Sequence, residues 1–440
     1  MGARGEFLWV LVGQGLTLVL SIAMLKVLTW QLGAEEYGRF ALGLSIAGVL
    51  NLFVYGPLVQ AVSRYFHLSA AAGAVAEFNQ LVGWLLRWIA VSVAVAMGLA
   101  FLVGDWLDLS LGTGWAALIL IALLYGLASG TLSVYLADFN TRRQRRSYAL
   151  LQSADALLRL AGAAALAAWA GATADLALAG FLLGSAVIMT VAWLSRRGMI
   201  GAAAARQGGR ALFAPGSRGR QFAGYTLSFS LFAIPSMFIC YGDRWVVQQT
   251  MSAADVGIYV AIAQIANAPA NLMLAVFSYT LNPILFQQAG NAASAESLRS
   301  SRQLLYRAAT FLVVVLAGVV AVSVVFDAWI VNLLTSPEFV PHARLLWILV
   351  LSASLFQIGQ ALASEAFVHN RPFLMLFPKL THAALFIALA IWLIGRWQLE
   401  GVAIAAVVSA AVYLLLVVSA NARARRTSVA DAAMSEVAVK

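Results

Sequence analysis

The stretch L-G-A-E-E-Y-G-R-F at residues 32–40 returns in altered form as M-S-A-A-D-V-G-I-Y at residues 251–259. Gly38 and Gly257 coincide, an aromatic follows each by two residues (Phe40, Tyr259), and an acid precedes each. Both stretches lead into the second apolar run of a series. The chain is therefore read as two related halves, and the fold follows from counting the runs around each copy.

Twelve runs are long enough to cross the hydrocarbon core of a bilayer, which takes about 20 apolar residues. They fall at about 7–29, 38–62, 81–103, 114–137, 148–170 and 175–194, then 221–241, 255–281, 307–326, 342–368, 373–394 and 399–420. Of the 440 residues 62% are hydrophobic and 10% charged, against about 25% charged in an ordinary soluble domain. A soluble enzyme and a disordered chain are excluded. Apolar runs of this length also argue against an outer-membrane barrel, whose strands alternate over about 10 residues. The expected fold is an all-α polytopic membrane protein. Residues 1–194 form one six-helix half, 195–220 a basic cytoplasmic linker, 221–420 the second half and 421–440 a cytoplasmic tail without regular structure from about 427. Six crossings per half is an even number, so the halves enter the membrane in the same sense. The repeat is parallel, with a central cavity between the halves.

Charge placement sets the orientation. The net charge is +10, and Lys26, Lys379 and Lys440 are the only lysines. With the N-terminus inside, the cytoplasmic segments collect Arg142, Arg143, Arg145, Arg146, the arginines of 195–220 and those of the tail, while the outside loops hold only Arg244 and Arg396. Positive residues gather on the cytoplasmic side of membrane proteins, so both termini are expected there. The basic excess is a topology signal and gives no reason to expect nucleic acid. The longest outside loop, 327–341, is too short for a folded domain. Cys240 is the single cysteine, which excludes a disulfide within the chain. The first apolar run lacks a small-residue cleavage site and reads as a membrane helix.

No nucleotide or hydrolase motif is present, and His67, His342, His369 and His382 lack metal-ligand spacing. No cofactor is expected. The informative groups are polar residues inside spans, because a charge at a helix centre costs about 3 kcal/mol on insertion scales. Span 5 carries Gln152, Asp155, Arg159 and Gly162 on one face. Asp155 and Arg159 are either a self-neutralising structural pair or a cavity-lining charge for an anionic substrate or coupling ion. Gln264, Asn267 and Asn271 in span 8, Gln14, Thr17 and Ser21 in span 1, and Gln357, Gln360 and Ser364 in span 10 repeat the stripe. Such stripes either bond helices together or line a wet cavity. Lys26, Arg64 and Arg244 stand at span ends, with Asp243 beside Arg244; they snorkel to the headgroups or bind substrate. Arg87, between Trp84 and Trp88, reads as an anchor at the inner interface. Glu365, Lys379 and His382 on spans 10 and 11 read either as structural pairs or as a proton-coupling group.

The segment L-G-A-E-E-Y-G-R-F-A-L-G, with Arg64 in A-V-S-R-Y-F, resembles the first two helices of the Wzx-type polysaccharide flippases. The segment Y-G-D-R-W-V-V-Q-Q-T-M-S-A-A-D-V-G-I-Y-V-A (241–261) is similar to their helices seven and eight, with Asp243-Arg244 closing one and Gly257-Ile258-Tyr259 opening the next. The resemblance implies the multidrug, oligosaccharidyl-lipid and polysaccharide exporter superfamily. It further implies a bacterial inner-membrane transporter that moves a lipid-linked oligosaccharide of undecaprenyl-pyrophosphate type by alternating access during surface polysaccharide synthesis. The implied partners are that substrate, membrane lipids and other polysaccharide assembly proteins. It also favours phosphate binding by the cations Lys26, Arg64 and Arg244, since a guanidinium matches pyrophosphate bidentately. A cation-coupled multidrug exporter and a membrane polysaccharide polymerase or ligase remain alternatives.

Overall fold

A computed structural model describes residues 3–71, 73–106, 113–197, 218–289, 295–369 and 371–438, and among these there is helix and no strand. Helix is what the apolar composition demands, since every backbone N–H and C=O inside a bilayer has to be satisfied within the chain. The helices are α1 (Ala3–Leu50), α2 (Gly56–Ala71), α3 (Val75–Trp106), α4 (Thr113–Thr141), α5 (Arg145–Ala170), α6 (Ala174–Arg197), α7 (Arg218–Thr250), α8 (Ala253–Ala289), α9 (Ala295–Leu334), α10 (Leu345–Val368) and α11 (Leu376–Ala438).

Among the described residues ten stretches are long and apolar enough to cross a membrane. Two of them are of double length: residues 12–71 and 373–425. At 1.5 Å per residue these would run for about 80–90 Å against a core of about 30 Å. Each is broken near its middle. Gly33 takes φ 68° and ψ 178° inside α1, and Gln398 takes φ 50° and ψ −132° inside α11. Both breaks fall between expected spans, so the ten stretches amount to the twelve expected crossings. Glycine adopts positive φ without penalty; Gln398 is the strained member of the two.

Two local expectations need correction, and a third lies largely outside the described residues. Residues 327–341 were expected as an open loop. Instead α9 continues through a kink at Phe326 to Leu334, and Pro337–His342 forms a short 3-10 helix. The tail, expected to be irregular from about 427, continues α11 to Ala438. The linker read at 195–220 lies outside the described residues from 198 to 217.

The chain divides into two compact units, 1–237 and 238–440. Unit 1 is held by close backbone contact, the usual means of helix association where lipid is as apolar as leucine. A Cβ placed on Gly180 of α6 would lie 2.3 Å from the backbone nitrogen of Ala163 on α5, and one on Gly184 would lie 2.7 Å from that of Arg159. Between α1 and α2 a π turn, Asn51–Tyr55, widens the helix. Tyr55 packs there against Gly130 of α4, where a Cβ would come within 2.1 Å of its ring. Asn51 Nδ2 donates to Ser129 Oγ at 3.2 Å, and the Tyr55 and Thr131 hydroxyls are 3.3 Å apart. The core here includes Tyr55, Phe78, Tyr135, Phe139 and Phe222.

Unit 2 packs α8, α9, α10 and α11 around Phe277, Leu316, Ile358, Tyr413 and Val417. Its repeat stretch opens α8 with a reciprocal cap. The Ser252 backbone N–H and hydroxyl both donate to Asp255 Oδ2 (3.1 and 2.6 Å), and the Asp255 N–H donates back to Ser252 Oγ (3.2 Å). This is a capping box with aspartate in the acidic position. In unit 1 the equivalent acid, Glu36, serves a neighbour instead. Its Oε2 accepts the N–H of Ala174, the first residue of α6, at 2.7 Å, while Oε1 pairs with Arg39 at 3.0 Å.

Candidate functional site

In unit 1 the Asp155–Arg159 pair forms as its spacing suggests. Arg159 Nε lies 3.0 Å from Asp155 Oδ2, and Ser185 of α6 donates to Asp155 Oδ1 at 2.7 Å. Arg159 Nη1 donates to the Tyr125 hydroxyl of α4 at 3.0 Å, and the guanidinium stands 5.7 Å from the ring centre of Phe181. The two charges cancel, and the network ties α4, α5 and α6 together. Gly184, pressed on the backbone of Arg159, sets how closely α6 approaches. Gln152, on the same face of α5, accepts a long 3.5 Å hydrogen bond from Gln14 of α1.

The other cations of unit 1 are placed differently. Arg64 on α2 is exposed and stacks on Tyr225 at 4.7 Å, with no salt bridge to it among the described residues. Lys26 on α1 lies 5.8 Å from the ring centre of Trp30.

In unit 2 the stripe Gln264, Asn267 and Asn271 lies on an exposed face of α8. Asn267 Nδ2 donates to its own helix at Ala263 O, 2.8 Å away, and Asn271 Oδ1 accepts from the Gln357 amide of α10. A mid-span helix face that carries three amides and stays exposed is suited to water or a polar ligand and poorly suited to lipid tails. Gln360, one turn from Gln357, is engaged inside the unit, where its Oε1 accepts from the Tyr413 hydroxyl at 2.6 Å. The span 10 stripe thus joins helices, and the span 8 stripe presents an open polar face.

Asp243 and Arg244 meet through the main chain: the Arg244 N–H donates to Asp243 Oδ1 at 2.8 Å. The Arg244 guanidinium lies over Tyr241 at 5.3 Å. Asp243, Arg244 and Lys379 are all close enough to Cys240 to act on it electrostatically. Gly242 packs on Ile387 of α11, where a Cβ would come within 2.6 Å. Lys379 therefore lies near Cys240, which precedes Asp243–Arg244 on α7 by about one turn.

The structure does not bring Glu365, Lys379 and His382 together. Glu365 Oε1 accepts from Arg425 Nε at 2.7 Å and Oε2 from Arg425 Nη2 at 3.2 Å. The Tyr306 hydroxyl donates to Oε2 at 3.3 Å and accepts from Arg425 Nη2 at 2.8 Å. His382 is buried between Phe356 and Tyr413, at 5.0 and 5.4 Å between ring centres.

One buried cluster escaped the sequence reading. Asp138 of α4 is 2% exposed and holds two arginines: Arg142 Nε at 3.0 Å and Arg196 Nε of α6 at 2.9 Å. Asn79 Oδ1 of α3 accepts from both, at 3.1 and 3.4 Å. Arg142 stacks on Phe66 and Arg196 on Tyr135. The four-residue spacing of Asp138 and Arg142 was a visible signal; nothing local pointed to Arg196 or Asn79. Among the described residues no cluster of three or more His, Cys, Asp or Glu is arranged to hold a metal.

Helical spans, glycine-mediated contacts and charged groups set within spans or at their ends define a polytopic α-helical membrane protein. Its fold is similar to that of "Lipid II flippase MurJ, inward closed conformation", with TM-score 0.68, 14% identity and coverage of 96% of this chain and 91% of that chain. It is also similar to a Vibrio cholerae MATE transporter, VcmN, in the bent form (TM-score 0.56, 17% identity, 93% and 99% covered). A further MATE structure in the bent conformation gives TM-score 0.59 at 14% identity, with 98% and 100% covered. Among curated proteins none matches this sequence. Residues 4–289 match the family described as polysaccharide biosynthesis protein, and the chain belongs to that family.

Proposed function

We propose that this protein is a flippase of bacterial surface polysaccharide synthesis. It carries a lipid-linked oligosaccharide, of undecaprenyl-pyrophosphate type, from the cytoplasmic to the outer leaflet of the inner membrane by alternating access. Membership of the polysaccharide biosynthesis family supports the substrate class. The observation that carries the reading is the exposed amide face of α8, Gln264, Asn267 and Asn271, which suits the hydroxyl-rich surface of a sugar. Arg64, exposed and stacked on Tyr225, is available to a phosphate, and Arg244, Lys379 and Lys26 are further cations at span ends or within spans. Asp155 and Glu365, the acids that cation coupling of a drug exporter would use, are each paired with an arginine, which weighs against that alternative. The distribution of arginines supports a cytoplasmic location for both termini.

The test is substrate accumulation. Deleting the gene should trap lipid-linked repeat units on the cytoplasmic face and remove surface polysaccharide, and plasmid-borne wild type should restore both. Normal polysaccharide in a deletion strain with no second flippase would sink the reading.

A further inference from the structure

Unit 1 contains a cavity of about 870 Å³ that the Asp155–Arg159 network does not line and that meets the Asp138 cluster only at Tyr135, on which Arg196 stacks. Its walls come from α3, α4 and α6, with Leu124, Leu182 and Trp193 among its apolar lining. Polar residues are sparse in its lining: Arg87, Thr131, Tyr135 and Thr190. Arg87 is exposed, and its Nε donates to the Gly83 carbonyl one turn back at 3.2 Å. Trp84 and Trp88, on either side of it in sequence, pack edge to face on each other at 5.8 Å between ring centres.

The position of this groove along the helices is fixed by its neighbours. Asn79, two turns before Arg87 on α3, bonds Arg142 and Arg196, and those arginines mark the end of the unit that carries Arg143, Arg145 and Arg146. The groove therefore runs from the arginine-rich end toward the middle of the membrane. Its cation sits on a residue about 12 Å along the helix from that end, but the side chain reaches back one turn to the Gly83 carbonyl, toward the headgroups, and tryptophans of the interfacial kind neighbour it in sequence. One cation at the mouth of one apolar channel matches a lipid with one phosphate-bearing head and one long tail, presented in the leaflet where the arginines lie. Basic pockets between membrane helices on the cytoplasmic side are a known way to hold phosphate headgroups.

We propose that the groove between α3, α4 and α6 seats the isoprenoid tail of a polyprenyl phosphate lipid, with Arg87 meeting its phosphate at the cytoplasmic surface. The proposal rests on the flippase reading and adds where the carrier lipid docks before its sugars are moved. It changes the role of Arg87 from a general interface anchor to a headgroup contact.

The experiment uses the full-length protein in phosphatidylcholine nanodiscs and a polyprenyl phosphate carrying a photoreactive diazirine on its tail. Crosslinked peptides should come from α3, α4 and α6. Unlabelled polyprenyl phosphate should compete, and phosphatidylglycerol should not. Arg87→Gln should weaken labelling about ten-fold, the order expected for one charge-assisted hydrogen bond. Thr190→Trp, at an exposed position on the groove wall, should weaken it at least as much while the protein elutes and melts like wild type. If phosphatidylglycerol competes equally, the groove holds ordinary bilayer lipid and the proposal falls. It falls too if labelling is unchanged in both variants or lies on other helices. Should Thr190→Trp misfold, the wild-type competition and Arg87→Gln still decide. A deletion strain with normal polysaccharide sinks the flippase reading whatever the labelling shows, whereas trapped substrate with no groove labelling sinks the groove alone.

Discussion

Arg425 Nε lies 2.7 Å from Glu365 Oε1, and the carboxylate it holds is 2% exposed. The arginine comes from the far part of α11 and the acid from α10, so a single ion pair closes one end of unit 2, with Tyr306 of α9 as the third member. Glu365→Gln should therefore lower stability by about 2 kcal/mol, less than the 3–5 of a fully buried pair because Arg425 keeps partial access to solvent. The double variant Glu365→Gln/Arg425→Gln should regain part of that loss in a detergent thermal-melt cycle. A Glu365→Gln protein that melts like wild type yet fails to restore polysaccharide would instead make Glu365 a coupling residue.

The α5–α6 contact makes a sharper demand. Gly180→Leu has no room, with Ala163 N at 2.3 Å from a Cβ, and should cost about 1–3 kcal/mol by overpacking. Gly98→Ala in α3 meets nothing within 4 Å and should stabilise by about 0.5–1 kcal/mol, as replacing glycine inside a helix does. Melting temperatures of the two purified variants check both signs, and equal effects would refute the close-contact account.

The face of α8 is testable by chemistry. In a Cys240→Ala background, Asn267→Cys should react readily with a charged, membrane-impermeant maleimide in membranes made accessible from both sides. Leu333→Cys, exposed on α9 near the end of its apolar run, is not informative, whereas Val314→Cys, exposed in mid-span, should stay unlabelled against lipid. Equal protection of both mid-span cysteines would mean that the α8 amides face hydrocarbon.

For phosphate recognition, Arg64→Ala and Arg244→Ala should each reduce polysaccharide export about ten-fold or more at equal expression, the order of one lost charge-assisted contact. Lysine at either position should rescue only partly, because it lacks the bidentate fork. The readout is complementation of the deletion strain. Full activity of both alanine variants would remove these residues from the headgroup path.

The span count and the Asp155–Arg159 pair were legible in the sequence, because each depends on local length, composition or one-turn spacing; the breaks at Gly33 and Gln398 fall in the gaps between expected spans. Pairings made by distant segments were not. Arg196 and Arg425 looked like topology charges at helix ends, yet each is drawn inward by a buried acid on another helix. The same blindness grouped Glu365 with Lys379 and His382: nearness along spans 10 and 11 suggested one cluster, while packing sent Glu365 to Arg425 and Lys379 toward Cys240. The extension of α9 beyond Phe326 was hidden by Asp327, whose side chain satisfies the next N–H, that of Ala328, at 2.6 Å and lets the chain resume its helix.

Asp138 joins Arg142 on α4 to Arg196 on α6, and these helices are two of the three walls of the lipid-sized groove. The third, α3, shares Asn79 with that junction and buries Phe78, Leu81, Val82 and Leu86, but beyond them Trp88, Val91, Val95 and Leu99 are exposed. In mechanical terms the groove is pinned at one end, where the charged junction ties all three walls together, while α3 leaves its apolar side chains uncovered toward the other.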